Sequence, residues 1–391
     1  MQATHQSTAN HLRLGQLDVI RGLAILGILL VNIFAFAWPP EHAHLLYWHD
    51  GGYSSLDEWL FTASQLFVMG RFLTLFSLLF GVSLLLVVQQ YGAEYLQRRL
   101  NWLLLFGLLH ISFIWFGDIL LWYALSGLFI VKRGYLLLDS RQLLRKGLMF
   151  FAIGFIVPLL SSLMLLSTGE HPIGIMTAEQ LAASIALWTG PAAGQWLQML
   201  SLNLTMLLAF VLCLLWLGVG LMLLGAGLYK RGWFSHGYSA RVTFSLLLLG
   251  IAISAGVQLA DAATGYQLAL NITLPTTYLA ALLMALAYAS LIIRYNRPWL
   301  QRWLAPCGRM AFTLYLSQSL LMVLLFRVIQ PDWFATLDRA PLLGIATAMI
   351  MLQLVFCRWY LQHFAQGPLE WLWRRLSKQP TAEHTANTHT E

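Results

Sequence analysis

Phe106-Gly-Leu-Leu-His110-Ile-Ser-Phe-Ile-Trp115-Phe-Gly-Asp118-Ile-Leu-Leu-Trp122-Tyr123 sets a histidine and an aspartate inside a stretch otherwise apolar enough to lie in lipid. An ionisable side chain at the bilayer centre costs roughly 2.5–3.5 kcal/mol or more, so such groups face a bundle interior or a wet cavity and mark function. On both sides of this stretch apolar runs recur along the chain: 59% of the 391 residues are hydrophobic and 10% charged. A water-soluble domain has about 45–50% apolar and about 25% charged residues, so composition excludes that class. The chain reads as an all-α polytopic membrane protein.

A helix needs about 20 mostly apolar residues to cross the hydrocarbon core. That measure predicts a bundle of about ten transmembrane helices, near 20–38, 70–90, 102–117, 118–134, 147–167, 203–228, 243–262, 275–293, 309–328 and 341–362. Residues 55–69 read as an interfacial helix, Gly70-Arg71 as a break, and Gly117-Asp118 as a tight turn between two spans. The run from Gly22 to Trp38 is long for a signal peptide and is followed by Pro39, so it reads as an uncleaved first span. Twenty of the 23 Lys and Arg fall on one side of this arrangement; the other side holds Arg327 and Arg339, with Arg71 in the outer half of its span. The positive-inside rule then puts both termini in the cytoplasm. Residues 1–16 become a cytoplasmic tail, 17–376 the membrane domain, and 377–391 a polar, disordered cytoplasmic tail. The net charge of +7 sits in short clusters between apolar runs, which points to a membrane and away from nucleic acid. Cys213, Cys307 and Cys357 are scattered without metal spacing, so no disulfide and no zinc site is expected.

Several polar residues then need partners. Asp18 and Arg21 stand at i and i+3, close enough to pair. Asn32 follows Arg21 by eleven residues, on the same helix face and about 16 Å deeper. One stripe carries a surface cation and a buried amide; anchoring and helix–helix bonding are the plainer reading. His110 and Asp118 would lie about 12 Å apart along a straight helix. Each is then expected to find its partner elsewhere, with Asp118 a candidate cap for the next helix. Arg71 either snorkels outward, pairs with Asp118 or the acidic loop, or holds an anion. The first outer loop carries His42, His44, His49 and Asp50; His49 beside Asp50 is a candidate general base, while no tetrahedral metal pattern is present. Tyr315, Ser319 and Met322 share one helix face that either bonds a neighbour or lines a tunnel.

Five blocks carry a resemblance: Leu17 through Asn32, Phe72 through Gly81, His110 through Tyr123, Gly308-Arg-Met-Ala-Phe-Thr-Leu-Tyr315, and Gly367-Pro-Leu-Glu-Trp-Leu-Trp-Arg374. Together they resemble the YeiB family of bacterial inner-membrane proteins, which carry a DUF418 domain, here about 225–376. That family is grouped with transmembrane acyltransferases, which move an acyl group from cytoplasmic acyl-CoA to a sugar hydroxyl or amine. One related branch has a catalytic histidine eleven positions after an arginine, where this chain has Asn32. Another, the heparan-glucosaminide acetyltransferases, has Arg then Asn at this spacing and a catalytic histidine in the following loop, for which His49 is the nearest counterpart, with Asp57 as the acidic residue after it.

The resemblance implies an inner-membrane acyltransferase taking acyl-CoA and no metal. Arg21 and Arg71 would hold the cofactor. Asn32 would donate to the thioester carbonyl, His49 or His110 would accept the acceptor's proton, and Asp118 would complete the catalytic set. The acceptor would be an extracytoplasmic sugar or a lipid-linked group, and the partners otherwise membrane lipids or a second copy of the chain. The rival class is a proton-linked transporter or flippase using His110, Asp118 and Arg71 as a polar path. A third is a non-catalytic membrane scaffold.

Overall fold

The computed structural model describes residues 2–40, 42–46, 54–167, 176–263 and 273–378, and no β-strand occurs among them. Helix α1, Gln2–Ala37, contains the first apolar stretch, Gly15–Ala37, and stops just before Pro39, which has no N–H to continue it. Helix α2, Ser55–Phe67, opens on Ser54, whose hydroxyl accepts from the Asp57 N–H at 3.1 Å. The break after it falls at Gly70, whose φ of 76° is left-handed.

Helix α3, Arg71–Phe113, has 43 residues. Straight, it would reach about 65 Å, twice the hydrocarbon thickness. It does not run straight: Gly92 has φ 81° and ψ 171°, and the chain turns back there. Helix α4, Leu120–Lys132, shows the reversal. Leu84 and Leu100, equidistant from Gly92, both abut Gly127 of α4. Ser77 bonds Tyr123 at 2.7 Å, while its mirror position Gly107 packs on Leu121. Residues 71–91 and 93–113 are therefore two antiparallel rods, both lying against α4.

Next come α5, Ser140–Ser167, α6, Ala178–Thr189, and α7, Ala192–Ala209, which passes through a π turn at 210–214 into α8, Leu215–Lys230. Then follow α9, Trp233–His236, α10, Ala240–Ala263, α11, Thr273–Arg294, α12, Pro298–Arg309, and α13, Ala311–Leu324, itself continued by a π turn at 325–329. Helices α14, Arg339–His363, and α15, Pro368–Ser377, close the chain. Each of the ten predicted spans falls on helix. Seven stretches are long and apolar enough to cross a membrane; one of them, Ser55–Phe113, holds both rods of α3, and α4 and α8 are shorter apolar helices. Outward faces agree: Leu160, Leu204, Leu259 and Leu352 are 60–72% exposed, a cost in water but none in lipid.

Besides α2, four short helices fall outside the predicted spans: α6, α9, α12 and α15. Between the predicted spans 275–293 and 309–328, residues 298–309 form α12, and residues 368–377 form α15; both are amphipathic. Helix α12 lies directly on α1. A β-carbon on Gly22 would overlap the Leu304 carbonyl, and one on Gly308 the Asp18 carbonyl, so the two backbones meet only because both residues are glycine.

Candidate functional site

Helix α3 ends at Phe113, not at 117, because the chain folds over at Ile114–Gly117: the N–H groups of Ile114 and Trp115 both bond the His110 carbonyl, at 2.9 and 3.0 Å. The fold-over brings Asp118 back beside His110. Oδ1 of Asp118 lies 2.8 Å from Nδ1 of His110, and each side chain is at most 1% exposed. The sequence expectation that these residues need separate partners is corrected here: the four-residue shortening of the helix makes them each other's partner. The approach is bent, without linear N–H···O alignment, and Nε2 of His110 has no hydrogen-bond partner among the described residues. Asp118 also caps α4, as expected, its Oδ2 accepting from Leu121 N at 2.7 Å.

Tyr315 clamps the same turn. Its hydroxyl donates to the Gly117 carbonyl at 3.2 Å and accepts from Ile119 N at 3.0 Å, and its ring centroid is 5.3 Å from that of His110. The other face of Tyr315, with Tyr123 and Ile119, closes the deep end of a cavity of about 520 Å3. Phe76, Phe80, Leu100 and Phe312 line its middle, and Arg21, Arg99, Arg309 and Arg374 its rim. Two carboxylates share that rim, and both are engaged. Asp18 bonds Arg21 at 2.9 Å. Glu370 accepts from Phe312 N and Thr313 N at 2.8 and 3.0 Å, capping α13 where the helix dipole favours an anion. Arg21 also reaches Ser83 Oγ at 3.2 Å, and Arg99 lies 3.8 Å over the Trp373 ring. The cavity thus has arginines at one end, apolar walls between, and an aromatic end at Tyr315, behind which lies the His110–Asp118 pair.

The remaining sequence candidates lie apart. Arg71 is fully buried, but its guanidinium bonds the Met69 and Leu66 carbonyls and Ser254, fastening the α2–α3 turn. No described carboxylate pairs with it, and it shares no wall with the cavity. Asn32 stays on the Arg21 face of α1, half-buried, and is not among the cavity-lining residues. His49 and Asp50 lie outside the described residues; His42 is buried and His44 exposed. Asp57 is buried and accepts from Arg339 N at 3.0 Å, tying α2 to the start of α14. Reading the sequence alone missed Arg99, Glu370 and Trp373; the polar Glu-Trp-Leu-Trp-Arg pattern after Gly367-Pro is the local signal that could have found the last two.

Fold and site together define a polytopic helical membrane protein with a buried imidazole–carboxylate pair behind a basic cavity. The chain belongs to the YeiB family. It is 32% identical to the uncharacterized protein YeiB of Escherichia coli (strain K12), over 92% of this chain and 95% of that one. It is 28% identical to the uncharacterized protein YxaH of Bacillus subtilis (strain 168), over 97% and 98% respectively. The family model described as protein of unknown function (DUF418) matches residues 228–379. No solved structure matches significantly.

Proposed function

We propose that this protein transfers an acyl group from a cytoplasmic acyl-CoA to a hydroxyl or amine acceptor presented at the membrane. The observation that carries the reading is the polarity of the cavity: four guanidinium groups at one end, aromatic and aliphatic walls within, and a histidine–aspartate pair behind the Tyr315 end. Coenzyme A phosphates suit the rim, since planar guanidinium forks match phosphate geometry. The acyl-pantetheine arm suits the walls. A carboxylate beside Nδ1 favours the tautomer with its proton there, leaving Nε2 to accept one. The acceptor's oxygen or nitrogen attacks the thioester carbonyl as Nε2 takes its proton; the C–S bond then breaks and the thiolate leaves, recovering that proton. Asn32, which does not line this cavity, and His49 are proposed only as an alternative carbonyl donor and an alternative base.

The transport reading has less support, because Arg71, the third member of its polar path, is held in the α2–α3 turn. The test is thiol release from acyl-CoA and calorimetric acyl-CoA binding by the purified protein in nanodiscs, with His110→Ala, His49→Ala and Arg21→Gln alongside. The reading expects saturable binding that weakens in Arg21→Gln and with added salt, and turnover lost in one histidine variant. Neither binding nor release, together with gradient-driven uptake in proteoliposomes, would replace it with transport.

A further inference from the structure

Arg327 sits in the π turn that follows α13, a backbone irregularity that recurs at functional sites. It is 6% exposed, and its only described contact with charge character is the Trp188 ring, 4.4 Å from the guanidinium carbon. No hydrogen bond and no ion pair joins it to a described residue, and its Nε is buried without a partner. The other buried arginines differ. Arg71 has two carbonyls and a hydroxyl, and Arg339 donates to the Leu45 carbonyl at 2.6 Å. A guanidinium carries five N–H donors, and leaving it buried and uncompensated costs several kcal/mol.

The group lines a second cavity of about 380 Å3, walled by Phe113, Ile114, Trp196, Met199 and Val323. Phe113, at the end of a membrane-crossing rod, and Trp196, on α7 just ahead of the predicted span 203–228, are 67% and 42% exposed, so the apolar walls of this cavity lie where a span meets its lipid boundary. None of its walls belongs to the basic cavity, and it lies at the C-terminal ends of α3 and α13.

We propose that this slot is a binding site for an anionic membrane lipid, whose phosphate pairs with Arg327 while its chain runs out between Phe113 and Trp196. The charge and the apolar walls select one negative group on a hydrocarbon stem. The exposed aromatic walls at a span's end select a lipid over a free anion. Neither acyl-CoA nor His110 enters the argument, so the site stands or falls separately from the transfer reading, although Phe113 is one helical turn from His110.

The experiment is photolabelling of the full chain in nanodiscs with a phosphatidylglycerol carrying a diazirine in its acyl chain, read by peptide mass spectrometry. Adducts are expected on the peptides holding Phe113 and Trp196. Excess phosphatidylglycerol should remove them, whereas phosphatidylcholine and inorganic phosphate should not. Arg327→Gln should lower labelling about tenfold, the ratio for one lost charge-assisted bond, and Arg327→Lys should keep most of it. Equal competition by phosphatidylcholine, or no adduct on this face, overturns the site. Competition by inorganic phosphate as strong as by the lipid overturns the lipid assignment. These arms use the wild-type protein, so they decide the matter even where the Gln variant fails to fold.

Discussion

His110 and Asp118 are separated by eight positions and joined by a fold-over that begins four residues earlier than an uninterrupted span would allow. Their residue types at membrane depth were legible in the sequence; their pairing was not, because helical rise alone puts them about 12 Å apart and nothing local to Phe113 announces the stop. On the proposed chemistry, His110→Gln should lower thioester turnover about 10²–10⁴-fold, the usual contribution of a positioned base. The assay is thiol release on protein whose melting curve shows it folded. Asp118→Asn keeps an oxygen for the α4 cap but removes the charge beside Nδ1. It should leave stability close to His110→Gln and reduce turnover by a similar factor, since the two act as one unit. Equal turnover in wild type and both variants would remove the pair from the chemistry.

Among the elements, the predictable ones are those whose signal is local. Gly70 breaks α2 from α3 where the long apolar run demanded it, and the spans follow from hydropathy. Helices α12 and α15 escaped because each is short, amphipathic and rich in proline or tryptophan, and finds its place only against α1 and α3. Glu370 is the clearest case: it caps a helix some 57 residues earlier in the chain, a contact that no spacing rule encodes. The α1–α12 contact makes a sharp test. Gly308→Ala drives a methyl into the Asp18 carbonyl and should cost about 1–3 kcal/mol through overpacking. Gly15→Ala, which meets nothing within 4 Å, should be neutral or slightly stabilising. Thermal unfolding in detergent separates the two, and equal melting temperatures would show that α12 does not seat where described. Gly92→Ala, at φ 81° and ψ 171° where essentially only glycine sits, should cost about 1–3 kcal/mol in the same melting measurement.

For the whole molecule, the polytopic helical class follows from composition, while sidedness rests on the distribution of Lys and Arg. Four arginines from α1, α3, α12 and α15 meet at one cavity rim, so the charge asymmetry of the loops becomes an electrostatic funnel at one end of the bundle. If that end is cytoplasmic, a reporter fused to either terminus should report cytoplasm, and a cysteine placed at Arg374 should resist an impermeant thiol reagent in intact cells but react in inverted vesicles. The reverse labelling pattern would put the rim outside and end the acyl-CoA reading, though not the fold. One consequence concerns the Tyr315 hydroxyl, which tethers the reverse turn twice while its ring screens the imidazole from the cavity. Whatever guest swings that ring aside strips the turn of both tethers, so occupancy and unveiling of the His110 imidazole form a single equilibrium. Thermodynamic reciprocity then requires the converse: slackening the turn in Tyr315→Phe should lower the melting temperature yet tighten the grip on the guest.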